Sequence, residues 1–477
     1  MRRMIKLLLL FSLLAGPVSC VPVPRAAQEP LPVLMSRAEP LIAGRRYGDA
    51  VAALEEAARL YAGAPLPLVK IGQIYLTQHR WLLAEDAFNR ALARNPAQAA
   101  AMAGLAEALF RQQRLAEAQT WWQHAAQVQP QLPGVFTGLG RTQVWLFDFE
   151  AARRSFAEQQ AHRFDPEAQW FLAALTAPLN LAAAVEALQS ISPAAAEAPD
   201  EELLAQRDYL LAALAPFSAS SPPGEAAKAA GIALAQIELW PLAVQALTIA
   251  AAPGPAEAET LAFLGHALAQ AGRPALDLFE QARRLEPESA LPLYFEGLYL
   301  RQQGAVGAAE NRFRQAATLD PDNAAIYVEL ARTKTQQGNL GTAELWYEAA
   351  VQVSQGDRQF QRLLALFYAD RGYRLEEAGL PAAEALVEAD KNDATAYELL
   401  GRMQFLAGKP DGGAASLRQA LALDPNLIGA RYYLARLLET QGQPEAALAE
   451  YRRVVDWDTV GEFRERALKD MQRLGAE

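Results

Sequence analysis

Six glycines, Gly272, Gly304, Gly338, Gly372, Gly408 and Gly442, recur at intervals of 32, 34, 34, 36 and 34 residues. Each ends a run rich in Ala, Leu and Gln, where a helix that must stop needs a residue at positive φ. A stop repeated on a fixed period means that one two-helix unit is written many times over. Such units stack, because none can bury its apolar stripe alone. The expected fold is therefore all-α, a solenoid of stacked helix-turn-helix units, and the period constrains shape rather than chemistry.

Composition agrees. Of 477 residues, 52% are hydrophobic and 21% charged, which leaves ample apolar surface to bury and no disorder signature over most of the length. The formal charge is −11, and loss of Arg2, Arg3 and Lys6 with a leader would take it to −14. Binding duplex nucleic acid rests on a basic footprint, so no nucleic-acid partner is expected.

Cys20 is the one cysteine, which excludes disulfides within the chain. Upstream lie the basic residues Arg2, Arg3 and Lys6, the apolar run Leu7–Leu14, and the small-residue stretch Ala15-Gly16-Pro17-Val18-Ser19. That order is an export signal over residues 1–19, and the apolar run is too short to span a bilayer permanently. With Cys20 directly after Ser19, it resembles a bacterial lipoprotein signal, which implies a lipidated Cys20 as first mature residue. An ordinary secretory signal with an incidental cysteine is the other reading. Residues 20–32 (CVPVPRAAQEPLP) read as a Pro-rich tether. Val21, rather than Asp, after the cysteine implies sorting to the outer membrane where the host has one.

The unit itself is explicit. From Pro65 the chain reads Ile71, Gly72, Tyr75, Ala84, Phe88, Ala91 and Pro96; from Ala290 it reads Gly297, Leu300, Gly304, Ala309, Phe313, Ala316 and Pro321. Small residues at positions 8, 20 and 27, an aromatic at 24 and Pro at 32 resemble the tetratricopeptide repeat family, whose fold is a right-handed α-solenoid. Units begin near Leu31, Pro65, Ala99, Pro133, Gly224, Ala258, Ala290, Ala324, Arg358, Ala394 and Ile428. Position-8 glycines should let paired helices approach closely, and Phe88, Trp122, Phe279, Phe313, Tyr347 and Tyr451 should fill the space between units. Trp121 joins Trp122 as core by register. Prolines such as Pro96 and Pro321 should close each second helix, with Asp322, Asn323 and Asn426 as candidate caps for the next.

These units divide into an N-terminal array over 31–166 and a C-terminal array over 224–461, with 462–477 as a capping helix. Between them, residues 167–223 keep helical composition but lose the spacing. They read either as a joint between two arms or as decayed units of an unbroken solenoid, with Asp200 starting a helix. A second departure, Arg358–Asp393, has lengthened turns.

No catalytic constellation emerges. His79, His124, His162 and His266 are dispersed, without paired-ligand spacing, and no P-loop, GxSxG or dinucleotide fingerprint occurs. His79 stands where later units have the turn glycine, so a turn role is expected. The chain reads as a non-enzyme without cofactor or metal.

Resemblance to the family implies a concave groove lined by first-helix positions 2, 5, 9, 12 and 13. Position 9 supplies Arg141, Arg332, Arg402 and Arg436; positions 12 and 13 add Arg111 and Arg301; beside them fall Phe110, Trp145, Tyr294, Phe405 and Tyr432. Arginine among aromatics is hot-spot composition, and in so acidic a chain it suits a partner segment carrying carboxylates. The family's carboxylate clamp needs Lys at position 5, where Val69, Ala103, Thr137, Val328 and Glu398 stand, so that clamp is absent. Alternatively these arginines pair with Glu107, Glu398 or Glu439 in neighbouring units. Trp145–Phe149 is an aromatic cluster that packs internally, against Trp170, or forms a contact patch. The function expected is a membrane-anchored scaffold in the cell envelope that holds a peptide or helix of another protein. The alternative is a glycan-binding subunit whose aromatics stack on sugar rings.

Overall fold

The computed structural model describes residues 29–192, 200–218, 221–222, 224–252, 256–458 and 461–475. The leader, Cys20 and most of the tether lie outside the described residues. All regular structure among the described residues is helical, and antiparallel pairs follow one another as the repeat requires. Leu66–Thr77 with Trp81–Arg94, Ala99–Arg111 with Leu115–Val128, and Val135–Trp145 with Phe149–His162 form consecutive units near the start. Ala394–Leu406 with Pro410–Leu423 and Ile428–Thr440 with Pro444–Trp457 form the last two, followed by the helix Arg464–Arg473. The first unit is irregular: its leading helix begins at Leu31 and is split into Leu31–Ser36 and Ala38–Ala43, where Pro40 removes a backbone donor.

One device holds neighbouring helices together. Phe88 projects from a second helix into space that two first helices leave empty: a Cβ on Gly72, in its own unit, would lie 2.6 Å from the ring, and one on Gly104, in the next, 2.3 Å. Trp122 repeats the device against Gly138, at 2.3 Å. Each aromatic is thus a plug through the interface it stabilises, and its burial explains why the ring residues Phe88, Phe279, Phe313 and Tyr451 are core. Trp121 departs from expectation. It is only half-buried, its ring edge-on to His124, because it lies one residue off the plug position.

All six turn glycines adopt positive φ, and His79 takes φ 55° at the equivalent turn. Earlier units do the same with Arg45, Gln113, Phe147 and Glu238, none of them glycine. Asn323 caps its helix through the Ala325 N–H, and Asp200 through Leu203 N–H at 2.7 Å. Asp322 and Asn426 cap nothing; Asp424 accepts the Asn426 N–H at 2.9 Å instead. The lengthened turn after Arg371 contains a π-helical segment, Leu375–Gly379.

The described residues between 166 and 222 form the pair Pro166–Thr176 and Leu181–Gln189, then the single helix Glu201–Leu214. One hydrophobic core runs from Val144 through Trp170, Leu188, Leu210 and Leu214 to Leu264. The single helix buries only Leu210 and Leu214 and sits at the margin. Inside it, Pro166–Thr176 and Val135–Trp145 both touch Trp240–Ala251, the second helix of the unit beyond. Phe147 and Phe149 pack against this core, and Arg273 from beyond the stretch lies 4.1 Å over the Phe147 ring. Trp145 is half-buried against the core of the preceding units.

Candidate functional site

First helices present the expected groove residues, and their neighbours decide what each can do. In the third and fourth units Arg141 lies 4.9 Å over the Phe110 ring, bonds the Glu107 carboxylate and reaches Glu167 at 3.2 Å. Glu107 also takes Arg111 at 2.8 Å, whose guanidinium sits near the Trp81 ring. Phe110 is buried beneath this cluster. Charge is therefore consumed locally, across three first helices.

Further along, Arg301 and Arg332 converge on the buried carboxylate of Glu329, at 2.5 and 2.7 Å. Tyr294 is half-buried beside them, its hydroxyl pushed up to about 12 by burial and by Glu329. A buried carboxylate held by two guanidiniums is costly to break, because removing one partner leaves a charge uncompensated. Arg301 and Arg332 serve this internal demand.

Toward the C-terminus the pattern changes. Arg402 takes Asp370 at 2.7 Å and lies 5.2 Å over Tyr433. Arg436 lies 5.2 Å over Phe405 with the Tyr432 hydroxyl in its field, yet among the described residues it makes no ion pair. Tyr432 is only 4% exposed and donates to Asp470 at 3.0 Å, so it is a support under the groove rather than a ring on its surface. Burial pushes the Tyr433 hydroxyl up, against the opposing pull of Arg402, Arg466 and Arg436.

Glu398, which the sequence offers only as a pairing partner for the groove arginines, behaves differently. It stands at position 5, packed so tightly against the next unit that a Cβ on Gly429 would lie 1.9 Å from its Oε1. Burial, with Asp424 and Glu462 nearby, pushes its carboxyl up to about 7 against the opposing pull of Arg402. Among the described residues it has no ion-pair partner. The available signal was the glycine opposite it, Gly429, at position 2 of the following unit.

Internal pairing accounts for Glu107 as the alternative reading had it; Glu439 instead takes Arg473 at 2.6 Å, and Glu398 takes none. His266 stacks on Phe295 at 4.3 Å, with burial pushing it down to about 4, and is a neutral core group. Among the described residues no cluster of His, Cys, Asp or Glu is placed to hold a metal ion, and no helix is long and apolar enough to cross a membrane.

Tetratricopeptide-repeat models match residues 69–131, 300–367, 376–428 and 404–463, so these segments carry tetratricopeptide repeats. That fold suggests protein–protein interaction. No curated protein matches the chain. Among solved structures the chain is similar to yeast Tom70, at 14% identity and a TM-score of 0.41 over 93% of this chain and 95% of that one. It is similar to a tetratricopeptide repeat protein from Parabacteroides merdae, at 15% identity and 0.41 over 53% and 98%. The Pseudomonas aeruginosa pilF protein follows at 18% identity and 0.36 over 45% and 97%. Likenesses this distant carry no partner or pathway across.

Proposed function

We propose that this array of tetratricopeptide repeats is a non-catalytic scaffold of the bacterial cell envelope. Lipid on Cys20 would anchor it on the outer side of the cytoplasmic membrane, in the periplasm or at the outer membrane. Its groove would hold a peptide or helix of another envelope protein, in envelope assembly or secretion. The observation that carries this reading is Arg436. Every other groove arginine is engaged by a carboxylate of the chain, whereas Arg436 stands 5.2 Å over Phe405 with none among the described residues. The site therefore contracts to the last units, where Arg436, Phe405 and the exposed Leu406 offer a cation beside apolar surface. A partner segment with an acidic side chain next to an apolar one fits it, with the carboxylate held bidentately.

Glycan binding finds no favouring observation. Stacking on sugars needs open ring faces, and Tyr432 is buried while Arg436 covers Phe405.

Crosslinked affinity capture from detergent-solubilised envelopes, with the mature protein and an Arg436→Glu variant in parallel, tests the groove. A protein captured by the parent and lost from the variant supports it; equal capture by both sinks the assignment to this site. The anchor is tested separately: Cys20→Ser should release the protein from membranes, and a variant that stays bound removes that part of the reading.

A further inference from the structure

The two ends of the array meet. Arg45, in the first unit, reaches Asn426 Oδ1 at 3.4 Å and places its guanidinium 5.9 Å over the Trp457 ring. Gly48 lies against the Asp456 carboxylate, with Oδ1 3.9 Å from where a Cβ on Gly48 would stand. Gln78, in the second unit, donates to the Asp456 carbonyl at 3.4 Å and is 2% exposed. His79 beside it lies within the field of Arg464 and Asp458. Residues some 380 positions apart thus share one seam, where the last unit lies against the first two.

This seam differs in kind from the interfaces that build the stack. Consecutive units are joined by apolar plugs, aromatic at Phe88 or Phe313 and leucine at Leu247 and Leu417, whereas every contact named here is polar or a cation over an indole. The cores at the two ends stay separate, neither including a residue of the other. Like charges oppose across it: burial first, then Arg80, holds the Arg464 guanidinium below its ordinary range. Apolar burial dominates association in water, so a seam across which the two cores do not merge is expected to open more easily than a plugged interface. First helices line the inside of such a superhelix, and an end-to-end contact encloses them in a ring. A segment that belongs to a larger folded body cannot thread a closed ring by its end.

We propose that the contact of Arg45, Gly48 and Gln78 with Asn426, Asp456 and Trp457 is a latch that closes the solenoid into a ring and opens to admit a partner laterally. It stands independently of which groove residues the partner touches.

The full chain in a Cys20→Ser background tests this, since no other cysteine is present. Gly48→Cys with Asp456→Cys should form a reducible disulfide within one chain under mild oxidation. Bonds formed solely between chains would overturn the latch in favour of head-to-tail assembly. Donor and acceptor dyes at Glu56→Cys and Glu445→Cys then report the ring in solution. The parent should show mainly a high-transfer population. Asp456→Arg puts a third cation beside Arg80 and Arg464 and should lower the closed-to-open ratio at least tenfold, with the melting temperature unchanged. Transfer unmoved by Asp456→Arg would overturn the proposal. So would a fall in melting temperature alongside it, because the seam would then be an ordinary structural interface.

Discussion

Position nine of the first helix reads Glu107 and then Arg141 in two consecutive units near the start of the array, and Arg402 and then Arg436 in two near its end. Equivalent positions in stacked units lie side by side along the groove. Alternating sign therefore makes a strut, as Arg141 bonding Glu107 does. Repeated sign cannot. Arg402 escapes by taking Asp370, from position 13 of the preceding unit; the residue at that place for Arg436 is Leu406, which is exposed. The same arginine at the same groove position is a strut in one region and, among the described residues, without a carboxylate partner in the other, and the neighbouring unit makes the difference.

Breaking the strut should have the largest effect on stability. Glu107→Gln leaves Arg141 with Glu167 alone, over a buried Phe110. Breaking a buried pair costs several kcal/mol; with one partner remaining and the guanidinium part-exposed, about 2 kcal/mol is expected. Arg436→Ala, which removes no ion pair, should cost under about 1 kcal/mol. Urea titration of both variants checks the contrast, and equal losses would erase it.

The second test concerns the acid that, among the described residues, makes no ion pair. Glu398 is pushed up to about 7 from an ordinary value near 4.5. The folded chain then holds this proton more tightly than the unfolded chain, so stability is greatest below the ordinary value, falls as pH rises through about 7, and levels off above. Between pH 5 and 8 the parent should lose on the order of 2 kcal/mol that Glu398→Gln retains. The readout is the difference between parent and variant urea midpoints at the two pH values. Parallel pH profiles would show that Glu398 ionises at no cost.

How much of this was legible in the chain follows from the range of each interaction. Turn glycines, plug aromatics and the position-8 glycines that receive them interact within one unit or with the next, so a 34-residue period exposes them. The early turns hid, because Arg45, Gln113, Phe147 and Glu238 adopt positive φ without being glycine. Trp121 misled because adjacency to Trp122 is not register. Charge pairing along the groove was readable in part: Arg141 and Glu107 are 34 residues apart, Arg402 and Asp370 32, close to the period itself. The seam between the ends was not readable at all. It depends on the twist each unit adds to the last, summed along the whole array, and no local pattern encodes that sum.

Leu406→Asp offers the smallest change in stability and the finest test of the comparison. It places a carboxylate at the position from which Asp370 engages Arg402, so it should give Arg436 the partner that its neighbour already has. An exposed pair of this kind contributes about 0.2–1 kcal/mol, and the substituted leucine is exposed, so the melting temperature should barely move. Binding should move sharply. If Arg436 recruits an acidic segment, an internal carboxylate competes for it and an apolar contact is lost, so capture should fall as it does for Arg436→Glu. The double variant Leu406→Asp/Arg436→Ala then separates the causes. Should Leu406→Asp capture as well as the parent, with the new ion pair confirmed in its structure, the cation of Arg436 is not what the partner reads. The groove of the last units would then be as structural as that of the first.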